Sequence, residues 1–247
     1  MEVGGVTMMT RFGFVSLLAS PLLAQPSSKD VFLLAGQSNM AGRGVVEAVD
    51  KQAMAGISVF TKAKAWGPAV DPLHFDKPDI AGVGLGRTFA ATVQKHSELK
   101  EIGLIPAAMG GSSLQEWAPG GPLFTNAVER TKAAGGRLRG ILWHQGEADA
   151  VAGLESTYAE RWMVVMTALR EAVGDVPVVV GELGRFNPKY AAVSEQLASL
   201  VVRYPRVGFV SAGGLKAKAD GVHFDAPSLK EFGRRYAHAW LMLAGNW

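Results

Sequence analysis

The strongest constraint on the fold is a set of short apolar runs at residues 31–35, 102–108, 140–144, 177–183 and 207–212, separated by segments of helical period. Runs without polar alternation are strands covered on both faces, and helices between them make neighbouring strands parallel. The expected class is therefore α/β with a central parallel sheet. Helices are expected at 84–96, 122–134, 154–173, 188–203 and 227–243, the last with Pro227 in its first turn, where proline is tolerated. One further short strand is expected at 57–61, inside a region, 42–83, that is otherwise irregular and rich in Gly, Pro and Asp. Loop regions this long are more often functional than idle, which makes Trp66, Phe75 and Trp117 candidates for a cleft wall. Of the 247 residues 48% are apolar, enough for a substantial core, and no repeat or linker divides the chain. One domain over 31–247 is the economical reading.

The first thirty residues read differently. Arg11 precedes an apolar run over 12–24 that ends in small residues, followed by a polar leader at 25–30. This is the pattern of a secretory signal peptide over 1–24, and the run is shorter than the about 20 residues of a spanning helix. A secreted or periplasmic protein with no membrane span in its mature form is expected. The chain has no cysteine, which excludes thiol nucleophiles, zinc–thiolate sites and disulfides. A net charge of +3, without basic runs interleaved by aromatics, gives no case for nucleic acid.

Directly after the first run stands Gly36-Gln37-Ser38-Asn39-Met40-Ala41-Gly42-Arg43-Gly44. A glycine turn out of a buried strand exposes Ser38 at the strand's carboxyl end, the edge at which open α/β sheets bind ligands. Ser38 is thus either a nucleophile or part of a Ser-Asn turn that closes a strand. Two other segments follow strands in the same way, Gly110-Gly111 and Gln145-Gly146-Glu147, and Asp220-Gly221-Val222-His223 follows the last strand.

A serine hydroxyl needs a base within reach and a group that fixes the base's tautomer. His223 has the best context of the five histidines, because Asp220, three residues before it, can accept the Nδ1 proton and leave Nε2 facing Ser38. His96 and His238 lie on helices and read as structural; His74, in the long loop, has the position to touch a ligand. Oxyanion donors are available from the backbone of Ser38, Gly110 and Gly111 and from the Gln145 amide. Glu147 has two open readings, as a support for the Gln145 loop or as an alternative acid for His223. His144 and Glu147 lack the His-Glu-x-x-His spacing of a metal site, so neither metal nor cofactor is expected.

Together, the segment 36–44, Gly110-Gly111-Ser112-Ser113-Leu114-Gln115-Glu116-Trp117, Trp143-His144-Gln145-Gly146-Glu147-Ala148-Asp149 and Asp220-Gly221-Val222-His223-Phe224 resemble the SGNH-hydrolase superfamily. More narrowly they resemble its sialate O-acetylesterase-like branch, which includes carbohydrate esterase family 6 acetylxylan esterases. The resemblance implies a flavodoxin-like three-layer α/β/α sandwich and metal-independent hydrolysis of acetyl esters on sugars. It implies Ser38 as nucleophile, His223 as base and Asp220 as its orienting acid, with Ser38, Gly110 or Gly111, and Gln145 around the oxyanion. Gln37, Asn39, Arg43, Glu116 and Trp117 fall inside the motifs and are candidates for substrate binding. Met40 stands where the Gly-x-Ser-x-Gly elbow has its second glycine, which argues against an α/β-hydrolase lipase. The expected function is a secreted serine esterase acting on acetylxylan or a related acetylated oligosaccharide. The alternatives are a sialate O-acetylesterase, another short-chain esterase, or a carbohydrate-binding protein without turnover.

Overall fold

In a computed structural model, which describes residues 1–5 and 29–245, the chain from Asp30 onward alternates strands and helices. β1 (Asp30–Gly36) is followed by a one-turn helix α1 (Ser38–Ala41), β2 (Ile57–Phe60), β3 (Trp66–Pro68), α2 (Gly86–His96) and β4 (Ile102–Pro106). Then come α3 (Pro122–Ala134), β5 (Arg137–His144), α4 (Glu147–Val151), α5 (Tyr158–Val173), β6 (Val178–Gly181), α6 (Ala191–Arg203), β7 (Val207–Val210) and α7 (Ala226–Ala244). The expected signal peptide lies outside the described residues, as does all but the end of the leader.

The seven strands form one sheet in the order β3-β2-β4-β1-β5-β6-β7, and every neighbouring pair is parallel except β2 and β3. β1 explains why its run shows no polar alternation. Val31, Leu33 and Ala35 enter one apolar cluster with Trp162 and Val165 of α5 and Leu197 of α6, whereas Phe32 and Leu34 enter a second with Phe89 of α2 and Phe232 of α7. Each strand face thus meets its own helix layer, which makes the three-layer α/β/α sandwich expected from the sequence. Among the described residues no helix is long and apolar enough to cross a membrane.

Three local readings are corrected. The antiparallel edge strand β3 was not expected; its Trp-Gly-Pro sequence carries no period, and it is held by pairing with β2 over only three register positions. The helix expected over 154–173 begins at Tyr158, after a separate short 3-10 turn at Glu155–Thr157. The strand expected to start at 140 starts at Arg137, because Asp30 pairs with Arg137 as β1 and β5 enter the sheet.

The chain passes from one side of the sheet to the other around β1, which lies between β4 and β5. Ligand crevices open at such a switch point, outside the carboxyl ends of the strands. The backbone ladder continues past those ends. Gln37 N–H donates to His144 O (2.8 Å), Met109 N–H to Gly36 O (3.0 Å) and Ala107 N–H to Leu34 O (2.9 Å). Segments far apart in sequence are thereby fixed against one another at one edge.

Candidate active site

Gly36 makes the turn that presents Ser38. Its φ is +129°, and a Cβ there would stand 2.1 Å from the His144 carbonyl oxygen, so the turn requires glycine on both counts. Ser38 is the first residue of α1 and is buried, with 6% of its surface exposed. Its N–H has no acceptor among the described residues, as expected of a first-turn donor.

His223 arrives on the loop between β7 and α7. That loop is closed by an antiparallel bridge between Ala217 and Phe224, by Lys218 N–H donating to His223 O (2.7 Å), and by the Asp225 side chain capping α7 at Ser228 N–H (2.8 Å). Asp220 Oδ1 accepts the N–H groups of Val222 and His223, both at 2.9 Å, and Oδ2 lies 2.9 Å from His223 Nδ1. The three-residue spacing works because one carboxylate closes the turn with one oxygen and holds the ring with the other. His223 Nε2 then lies 3.1 Å from Ser38 Oγ. Burial opposes ionisation of Asp220, but the hydrogen bonds from His223 and Val222 outweigh it and hold the carboxyl well below the usual aspartate range.

Ser38 and His223 open into a cleft of about 510 Å³ whose walls include Gln37, Gly110, Gly111, Glu147 and Tyr190. The two glycines differ. Gly110 N–H donates to Asp76 Oδ2 (2.9 Å), which also accepts from Arg43 Nη2 (2.6 Å), so this donor is already engaged. Gly111, at φ +82°, has no acceptor for its N–H among the described residues. Gln145 is corrected more sharply. Its side chain is fully buried, with Nε2 donating to Ser112 O (3.1 Å) and Asp149 Oδ2 (2.6 Å) while Oε1 accepts from Tyr158 Oη (2.8 Å). Both amide hydrogens are therefore held inside the protein, away from an oxyanion.

Neither reading of Glu147 survives. Asp149 and Tyr158, not Glu147, hold Gln145, and Glu147 Oε1 accepts from Asn39 Nδ2 (2.6 Å) and not from His223. Asn39 is 1% exposed and does not line the cleft. Glu116 lies outside it too, accepting from Ser113 N–H (2.7 Å) to close a 3-10 turn. Trp117 is fully buried against Trp143, 5.1 Å between ring centroids, and Trp66 packs on Phe60 at the sheet edge; neither forms a cleft wall. Phe75 lies under the Arg130 guanidinium, 4.7 Å from its ring centroid, and His74 is buried beside it rather than turned to the cleft. Arg43 lines the cleft with its guanidinium tied to Asp76 and to Gly42 O. Gln37 lines it as well, its Oε1 accepting from Gly146 N–H (3.2 Å). Among the described residues no group of three or more acids and histidines is placed to hold a metal ion.

Asp76, Lys77 and Tyr190 are among the site residues that motif reading missed. They come from the long loop and from the turn before α6, and no local pattern marks them. Only the length of the 42–83 region signalled that part of it would border a site.

The geometry can be set beside known proteins. A family model described as carbohydrate esterase, sialic acid-specific acetylesterase matches residues 28–242. A probable carbohydrate esterase of Arabidopsis thaliana is 29% identical over 238 residues, 85% of this chain and 90% of its own length. An X-ray structure of a protein from Arabidopsis thaliana superposes with a TM-score of 0.79 at 27% identity, covering 88% of this chain and 99% of that one. The NanS crystal structure shares the fold, with a TM-score of 0.71 at 16% identity over 90% of this chain and 99% of that one. The chain belongs to the carbohydrate esterase, sialic acid-specific acetylesterase family and is a carboxylic ester hydrolase.

Proposed function

We propose that the protein removes O-acetyl groups from sugars by two-step acyl transfer at Ser38, and that it does so as a secreted enzyme released from the leader read at 1–24. The observation that carries the mechanism is the pair of contacts at His223, 2.9 Å to Asp220 on Nδ1 and 3.1 Å to Ser38 on Nε2. Asp220 fixes the ring with its proton on Nδ1, so Nε2 takes the Ser38 proton as Oγ bonds to the acetyl carbon. The oxygen that becomes negative is met by the N–H groups of Ser38 and Gly111, which have no acceptor of their own. His223 then returns its proton to the sugar oxygen as the carbon–oxygen bond breaks. A water that gives a proton to the same nitrogen attacks the acetyl carbon, and collapse of the second tetrahedral adduct frees acetate and the Ser38 hydroxyl.

The sugar reading is supported by the shape beside Ser38. Ile80 and Val151 give the cleft an exposed apolar rim, and Tyr190 borders both this cleft and a neighbouring groove that contains Arg185 and Asn187. In this reading the acetyl group sits at Ser38 and the sugar ring lies along the Tyr190 side of the cleft. Within this class we favour acetylated xylo-oligosaccharides, with O-acetylated sialic acid as the competing substrate.

The test is acetate release by the purified protein from both substrates side by side, with Ser38→Ala as control. Release that requires Ser38 supports the reading and ranks the sugars. Intact sugar binding without release from either substrate would replace it with a non-catalytic binding role.

A further inference from the structure

We infer that four buried side chains, Tyr236, His144, Glu147 and Asn39, form a positioning relay that holds the His223 loop over Ser38. The inference rests on the Ser38–His223 reading above and adds to it how the base is kept in place.

The relay ends at the two residues that flank His223. Asn39 Oδ1 accepts from Phe224 N–H (3.1 Å), and Asn39 Nδ2 donates to Val222 O (3.4 Å). Because Asn39 directly follows Ser38, one amide ties the nucleophile's helix to the backbone on both sides of the base. A primary amide can turn over and exchange its oxygen for its nitrogen. Turned over, it would present a donor to the Phe224 N–H and an acceptor to the Val222 carbonyl, and both bonds would be lost. Glu147 prevents this: its Oε1 accepts from Asn39 Nδ2 at 2.6 Å, and an ionised carboxylate can only accept.

Glu147 is fixed in its turn. His144 Nε2 lies 3.3 Å from the same Oε1, a close electrostatic approach without hydrogen-bond alignment. The Tyr236 hydroxyl lies 2.9 Å from Trp143 O and 3.3 Å from His144 Nδ1; with its hydrogen turned to Nδ1, the ring keeps its own proton on Nε2, on the side of the carboxylate. All four residues are at most 3% exposed. β6 makes room for the array at Gly181, where a Cβ would stand 2.1 Å from the Tyr236 oxygen and 2.8 Å from His144 Nδ1. Burial opposes the charge on Glu147, and the His144 ring and the Asn39 amide outweigh it, keeping the carboxyl below the usual glutamate range.

None of these groups donates to or accepts from Ser38 or His223 side chains, so the relay acts through the loop. Glu147→Gln keeps the size of the side chain and removes its fixed acceptor character. It should lower kcat about 10- to 100-fold, the range seen when supporting partners of a site are lost, with KM within about twofold of wild type. Asn39→Ala should do the same. In the double variant Glu147→Gln should add less than about twofold, because the carboxylate works through the amide. The proton on His223 Nδ1, read by NMR, should be sharp in the wild type and broadened in both single variants. Tyr236→Phe removes one oxygen from the array and should lower kcat at unchanged KM, which keeps the test open where Glu147→Gln does not fold. Folded variants with wild-type kcat, or single effects that multiply in the double variant, would overturn the relay. If Ser38→Ala keeps its activity, the esterase reading fails first; if Ser38→Ala is inactive and the relay variants turn over normally, the relay alone fails.

Discussion

His223 Nε2 and Ser38 Oγ stand 3.1 Å apart although 185 positions separate them in the chain. The contact joins the carboxyl end of the central strand β1 to a loop after the edge strand β7. It exists because the 211–225 loop folds back over the switch point, anchored by the α7 cap and by Asn39. The consequences can be measured one residue at a time.

Asp220 holds the His223 ring at 2.9 Å, and in the proposed mechanism it balances the charge that the ring gains. Asp220→Asn should lower kcat by about 10⁴-fold, with the fold intact by circular dichroism, since the amide can leave the ring in the wrong tautomer. The wild-type carboxyl is held below its unfolded value of about 3.9, so its stabilising effect is complete above that pH and is lost as pH falls further. The melting-temperature gap between wild type and Asp220→Asn should accordingly be constant above about pH 4 and close below it.

Asp76 joins Arg43 to Gly110 through one oxygen, and the side chains of the Arg43–Asp76 pair are 2% exposed. Removing one partner of such a pair leaves an uncompensated buried charge. Asp76→Ala should cost about 3–5 kcal/mol in urea unfolding. It should also lower kcat by releasing the Gly110–Gly111 turn. Wild-type stability would mean that the pair contributes nothing where it is buried.

Asp71 predicts a pH effect of the opposite sign. Burial pushes its carboxyl up to about 7, against the attraction of Arg87, 3.5 Å away, and a hydrogen bond from Gly84 N–H. A group whose folded value exceeds the unfolded value of about 3.9 binds its proton more tightly in the folded chain. Stability should therefore fall as pH rises from about 4 to about 7 and level off above. Melting curves of Asp71→Asn should be flatter than those of wild type across this window.

Gly36→Ala tests the turn that presents Ser38. The strained φ alone costs about 1–3 kcal/mol, and overlap with the His144 carbonyl adds to it. Soluble, active Gly36→Ala protein with an unchanged melting temperature would mean that Ser38 is not held by this turn.

What the sequence disclosed follows from the range of the interactions concerned. The central strands were legible because both of their faces are apolar, as the two destinations of the β1 side chains show. The Asp220–His223 contact was legible because it spans three residues and closes its own turn. The fate of Gln145 was not, since its donors are taken by Asp149, four residues on, and by Ser112, 33 residues back. Asp76 was equally hidden, with partners 33 and 34 positions away and no motif around it. A motif shows which residue types occupy a site, but competition for their hydrogen bonds is settled by tertiary neighbours.

The activation of Ser38 by His223 is tested most directly by mass-spectrometric mapping of the covalent adduct formed with a fluorophosphonate, a reagent that captures activated serines. With Ser38 as the activated nucleophile, one adduct is expected on the Ser38 peptide, formed rapidly by wild type and lost in His223→Ala. An adduct on another serine, or labelling of Ser38 that is unaffected by His223→Ala, would contradict that activation.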